Sequence, residues 1–226
     1  MADRMRDMRV LVTQADDFMG PPTVEIFKAE GATVIADTRD LTDVPASAAA
    51  IADAGHVDVL IANLAAPTFT GIPATELGED DWQTAFDMMV HPLHRLTKAV
   101  LPQMLQRERG KIVVYGSASA MKGMRTLAAY SAARAAQIGY VQSVGVEVAA
   151  ANVQINLIAQ NYVESKEYYP PELMQKESFM KSLRRQVPAG RLGTAREDVL
   201  FALFLASGES DFFVGQAFPF SGGWVQ

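Results

Sequence analysis

The 226-residue chain contains no cysteine, so disulfides, zinc–thiolate sites and thiol nucleophiles are absent. That is compatible with a reducing cytoplasm, which is the expected location. No run of about 20 apolar residues occurs, so a membrane span is not expected. The start, Met1-Ala2-Asp3-Arg4-Met5-Arg6, mixes charges where a secretory leader needs an apolar core of about 7–15 residues. There is no basic excess either. The 20 Lys and Arg against 26 Asp and Glu leave a net charge of −6, a poor match to nucleic acid, whose binders carry a basic patch. Internal repeats, low-complexity stretches and linkers are also missing. What remains is ordinary for a globular protein: 49% hydrophobic and 20% charged residues. A chain this long buries about 70–75% of its unfolded surface in one sizeable core. The 16 glycines are an ordinary number too, but their placement is not ordinary.

Short apolar runs alternate with helical patterns. Strands are predicted over 10–13, 33–37, 57–62, 111–115 and 153–158, with a last one over 216–220. Helices are predicted over 23–30, 46–54, 80–109 (with Pro92 a kink or a boundary), 127–150 and 172–185. Thr194 and Glu197, three apart before an apolar run, form a capping box for a helix ending near Ala206. Pro219 cannot donate to a ladder, which puts the last strand at an edge. Alternating β and α elements with continuously apolar strands predict a parallel sheet covered on both faces. The expected fold is α/β, a Rossmann-like doubly wound parallel sheet, with one domain over 1–226.

Ser117 follows the fourth predicted strand, at the carboxyl edge where such sheets bind ligands. Tyr130 comes thirteen residues later, and Arg134 four residues after it, on the same helix face. A free tyrosine is a poor base, about one phenolate in a thousand at pH 7. A nearby cation favours the charged form, and a serine hydroxyl and a helix N-terminus add to it. The three residues therefore read as a general-base site. His91 and His94 have helical spacing but no evident third ligand, so no metal is expected.

These residues resemble the short-chain dehydrogenase/reductase family along nearly the whole chain. Val10 to Gly20 matches its first strand and glycine loop, Asp37 its second-strand acid, and Ala62-Asn63-Leu64-Ala65 its Asn-Asn-Ala-Gly turn. Trp82 and Leu101-Pro102-Gln103-Met104 match its fourth helix. Tyr130-Ser131-Ala132-Ala133-Arg134 matches Tyr-x-x-x-Lys, and Ser221-Gly222-Gly223 its terminal Asp-Gly-Gly. The departures matter more. Where that family reads Thr-Gly-x-x-x-Gly-x-Gly, this chain reads Thr13-Gln14-Ala15-Asp16-Asp17-Phe18-Met19-Gly20. Two glycines that let the backbone approach a pyrophosphate are replaced by Gln14 and Phe18. The lysine that holds the nicotinamide ribose is replaced by Arg134, and Met89 stands near the helix asparagine. No NAD(P) cofactor is expected, and Asp37 reads as vestigial or as a loop cap.

The joint pattern Ser-x12-Tyr-x3-Arg, with an aromatic in the glycine loop, resembles the halohydrin dehalogenases. The strings Tyr115 to Met121, Asn161-Tyr162 and Lys166-Glu167-Tyr168 look closer to their B and D branches. The resemblance implies cofactor-independent closure of a vicinal haloalcohol to an epoxide, and epoxide opening by azide, cyanide, nitrite or halide. It makes Tyr130 the base, Arg134 its charge partner and Ser117 the ligand of the substrate oxygen. Phe18, Ser119 and the loop Gln160-Asn161-Tyr162-Val163 would bind substrate and halide, the loop through backbone N–H groups. Tyr168 or Tyr169 would close the pocket, and Met121 and Met124 would line it. Leu64 stands where some members have an Asp bonded to the Arg. The resemblance also implies a homotetramer packed through Ala128, Ala129, Ala132, Ala133 and Ala136, with Trp224 at an interface or in a neighbouring site. Two alternatives remain. One is an NAD(P)-dependent oxidoreductase with a degenerate glycine loop, the other a non-catalytic binding protein of the same fold.

Overall fold

The six strands are β1 (Arg9–Val12), β2 (Thr33–Ala36), β3 (Val59–Asn63), β4 (Gly110–Ser117), β5 (Val153–Gln160) and β6 (Ala217–Phe220). In this computed structural model, which describes residues 3–67, 71–165 and 168–226, they form one sheet in the order β2-β1-β3-β4-β5-β6. Every pairing is parallel. All residues of β3, β4 and β5 are buried, as a sheet covered on both faces requires. The helices are α1 (Gly20–Ala29), α2 (Ala46–Ala54), α3 (Glu79–Gln106), α4 (Ala128–Val148), α5 (Pro171–Met174), α6 (Glu177–Gln186) and α7 (Ala195–Ala206). Alternation along the strands splits the core between two faces. Val10, Val12, Ile61 and Val113 pack with Phe27 of α1 and Val199 and Leu203 of α7. Leu11, Leu60, Ile112 and Leu157 pack with Ile51 of α2, Leu96 of α3 and Val144 of α4. The fold is the doubly wound Rossmann-like sheet expected, and β6, with Pro219, is its edge.

Some boundaries differ from the sequence reading. α1 begins at Gly20, with Pro21 and Pro22 in its first turn, where a missing N–H costs nothing. α3 runs through both Pro92 and Pro102; Pro92 is buried, and packing outweighs the lost helical bond. The helix predicted over 172–185 is two, α5 and α6, parted at Lys176, whose backbone is extended. Ala129 and Ala133, expected to face a partner helix, are instead buried inside the chain beside Tyr130 and Met89. Among the described residues no helix is long and apolar enough to cross a membrane.

The chain reverses direction about β1, which has β2 on one side and β3 on the other. Such a switch point opens a crevice at the carboxyl edge. Among the described residues one strand lies outside β1, where the usual order 3-2-1-4-5-6 has two.

Candidate active site

A cavity of about 230 Å³ lies at that carboxyl edge, and it gathers all ten residues assigned to the site from sequence. Ser117 and Ser119 reach it from the end of β4, Tyr130 and Arg134 from α4, and Phe18 from the loop after β1. Gln160 reaches it from the end of β5, and Asn161, Tyr162, Val163 and Tyr169 from the segment that follows. Tyr168 and Met124 line it as expected, whereas Met121 is not part of the lining and is 40% exposed. Ala65, Gly116 and Leu127, not singled out as pocket residues from sequence, complete the wall. They carry no chemical signal that a sequence could show.

Ser117 and Ser119 share a hydrogen bond of 3.0 Å, and Ser117 Oγ accepts from the Ser119 backbone N–H at 3.2 Å. The guanidinium carbon of Arg134 lies 5.1 Å from the centroid of the Tyr130 ring. Arg134 is only 4% exposed. Nη1 donates to Tyr115 O at 3.1 Å and to Gln137 Oε1 at 3.0 Å, and Nη2 to Leu64 O at 3.0 Å. Its Nε has no partner, and among the described residues no carboxylate pairs with it. Leu64 therefore serves this cation with its backbone carbonyl in place of an acid. Gln137, held by its amide donating to Met89 O at 2.8 Å, was missed in sequence. Its place at Tyr130+7, on the same face of α4, was the available signal.

The segment after β5 corrects one expectation. The backbone N–H of Asn161 donates to Phe220 O at 3.0 Å, and that of Tyr162 to Asn161 Oδ1 at 2.9 Å. These amides are engaged, not free for an anion. Asn161 Nδ2 is a buried side-chain donor without a partner. Gln160 Nε2 donates to Asp198 Oδ2, and burial pushes the Asp198 carboxyl up to about 7. Tyr162 stacks on Tyr169 at 6.2 Å and meets Trp224 edge-on at 6.1 Å. Burial raises the Tyr169 phenol well above its usual range, so it stays neutral. Trp224, 8% exposed, packs within its own chain, with the Lys122 ammonium 4.6 Å from its ring centroid. Lys166 and Glu167 lie outside the described residues. His91 bonds Asp87 at 2.8 Å, and among the described residues no three His, Asp or Glu side chains could hold a metal together.

The family model described as enoyl-(acyl carrier protein) reductase matches residues 4–225. The chain belongs to the short-chain dehydrogenase/reductase family. A 2-keto-3-deoxy-L-fuconate dehydrogenase of Xanthomonas campestris pv. campestris is 32% identical over 210 residues, 89% of this chain and 68% of that protein. A solved dehalogenation enzyme superposes with a TM-score of 0.89 at 32% identity, covering 98% of this chain and all of the other. A halohydrin dehalogenase solved with ethyl (2S)-oxiran-2-ylacetate superposes with a TM-score of 0.85 at 26% identity, covering 95% and 96%.

Many short-chain dehydrogenase/reductase proteins hold a dinucleotide at the loop after the first strand. The residues of this chain do not fit one. Gln14 and Phe18 keep the left-handed backbone of the glycines they replace, with φ of 43° and 45°, at roughly 1–2 kcal/mol each. Gln14 Oε1 accepts from the Ala65 backbone N–H at 2.5 Å, and Asn63 Nδ2 donates to Gln14 O and Asp17 O, each at 2.9 Å. The loop is thus tied to the end of β3 across the pyrophosphate path. The Phe18 ring stands in the cavity, edge-on to Tyr168 at 5.7 Å. Asp37, the acid for a ribose, is paired with Arg39 at 2.6 Å, and its carbonyl caps the loop at Ala15 N–H. Gly20 alone survives, because a Cβ there would sit 2.4 Å from Gln14 O.

Proposed function

We propose that the protein is a halohydrin dehalogenase, converting vicinal haloalcohols to epoxides without a redox cofactor and opening epoxides with azide, cyanide, nitrite or halide. The observation that carries this reading is Arg134: a buried guanidinium with no carboxylate, against the ring of a buried tyrosine, in a cavity entered by Phe18. A buried cation is costly without a counter-charge. In this reading Arg134 balances the negative charge that moves between the substrate oxygen and Tyr130 during the reaction. A hydride-transferring site has no use for the aromatic ring where its cofactor would lie.

In this mechanism Ser117 holds the substrate oxygen and Tyr130 takes its hydroxyl proton. The alkoxide attacks the neighbouring carbon, the carbon–halogen bond breaks, and its electron pair leaves with the halide. The products are epoxide and halide, and the proton passes from Tyr130 to solvent. Nucleophile and leaving group share one molecule, so orientation supplies roughly 7–11 kcal/mol relative to a bimolecular step. The leaving halide needs donors in a dry pocket. Asn161 Nδ2, buried without a partner on the wall of the cavity, suits that role. The active assembly in this reading is a homotetramer.

The test is halide release from 1,3-dichloro-2-propanol, followed as acidification. The expected result is release by the wild type and at least about a hundredfold less from Tyr130→Phe, the scale of a lost general base. No release by the wild type, or equal release by the variant, sinks the reading.

A further inference from the structure

Gln160 and Asp198 form a buried pair directly behind the segment that lines the cavity after β5. Gln160 ends β5 and is 5% exposed; Asp198 lies in the first turns of α7 and is fully buried. The Gln160 amide nitrogen donates to Asp198 Oδ2, and Asp198 Oδ1 has no partner. Gln160 also lines the cavity. With its nitrogen turned inward, the end of the amide left for the cavity is the oxygen, an acceptor. An anion pocket needs a donor there.

A proton on Asp198 reverses that polarity. A neutral carboxyl carries an O–H donor, and an amide presents two donors at one end and an acceptor at the other. Turning the Gln160 amide by half a turn lets Asp198 donate to Oε1 and points the –NH₂ into the cavity. We propose that the Gln160–Asp198 pair sets anion affinity at this site: ionised Asp198 makes Gln160 offer an acceptor and bind halide weakly, and protonated Asp198 makes it offer a donor and bind halide tightly. The proposal rests on the dehalogenase reading of the cavity. The only proton moved comes from solvent to the Asp198 carboxylate, and no bond of the substrate changes in this step.

The surroundings allow both states near neutral pH. Burial pushes the Asp198 carboxyl up to about 7, with the Gln160 bond opposing. Tyr115 of β4 is the titratable group that faces it from the sheet. It is bonded to Thr23 of α1 at 3.0 Å and kept neutral by burial and by the Asp198 charge. β5 and β6 contain no titratable residue, and the buried positions of α1 are Gly20, Thr23 and Phe27. On α7 itself Glu197 turns outward to Arg191 at 2.7 Å, and Glu209 of the following turn pairs with Arg4 at 2.9 Å. Among the described residues no cation compensates Asp198. The consequence is directional. Product halide is held more firmly as pH falls, which favours anion-driven ring opening, and it leaves more readily as pH rises, which favours epoxide formation.

Bromide titrated calorimetrically into the wild-type protein between about pH 6 and pH 8.5 tests this without reference to turnover. The expected result is a Kd that rises about tenfold across the range, the effect of one hydrogen bond gained or lost. Binding near pH 7 is expected to take up part of a proton, read from the heats in buffers of different ionisation enthalpy. In Asp198→Asn no carboxylate remains to ionise, so the end that the new amide turns to Gln160 does not change with pH. That variant is expected to bind bromide with one affinity across the whole pH range, with no proton uptake. Gln160→Met, which removes the turning amide, is expected to bind weakly and independently of pH, and it carries the test if Asp198→Asn does not fold. Wild-type binding that ignores pH, or an Asp198→Asn variant with the wild-type pH dependence, overturns the inference and leaves the dehalogenase reading standing. No bromide binding at any pH overturns both.

Discussion

Arg134 shows how one residue carries both chemistry and cost. Its three hydrogen bonds go to two backbone carbonyls and one side-chain amide, so the burial is satisfied in part but the charge is not neutralised. Arg134→Gln is therefore expected to lower halide release at least about a hundredfold, as loss of support for a general base does. The melting temperature is expected to hold or rise, because an unpaired buried charge has been removed. A large fall in melting temperature with activity intact would show that the guanidinium is structural only. Ser117, Tyr130 and Arg134 were legible in the sequence because their relation is local, four residues along one helix and one strand end. That Leu64 holds Arg134 through its carbonyl and that Asp198 meets Gln160 were not. Leu64 lies 70 residues from Arg134 and Asp198 lies 38 from Gln160, and no local pattern specifies either meeting.

At the scale of elements, capping chemistry was the clearest text. Thr194 Oγ1 accepts from the Glu197 backbone N–H at 3.1 Å, and Glu197 accepts from the Thr194 N–H at 2.8 Å. Both arms of the capping box expected at α7 are present. Thr194→Ala is expected to cost about 1 kcal/mol and to lower the melting temperature by about 2–4 °C in a chain of this size. An unchanged thermal melt would mean that the sheet contacts of α7, not its cap, fix its start. The strands were legible from β-branched apolar runs to within a few residues. Boundaries decided by packing were not. Pro92 reads as a break, yet α3 continues through it in the core. The single helix predicted over 172–185 divides at Lys176, and Leu183 of α6 is buried with Val187 and Leu192 against Tyr169.

For the whole molecule, the decisive feature is how little sheet and loop are left for a dinucleotide. Among the described residues one strand lies outside β1, the β1 loop is tied to β3 by Gln14 and Asn63, and Phe18 lines the cavity. The dehydrogenase among its relatives makes the opposite reading testable. NADH is expected to leave the fluorescence of Trp224, packed on Tyr162 beside the cavity, unquenched at micromolar concentrations. Saturable quenching there would restore a dinucleotide-dependent oxidoreductase. The sequence by itself determined the alternation of strands and helices, the edge position of the last strand, the Ser117–Tyr130–Arg134 grouping and the loss of two loop glycines. Each of these is written in periodicity, in backbone chemistry or in residues a few positions apart. Only the tertiary structure decided which carbonyls hold Arg134, which loop amides are already engaged, and that Gln160 rests on a buried acid. Those follow from strand order and helix docking, which join residues tens of positions apart and are set by burial of the whole core.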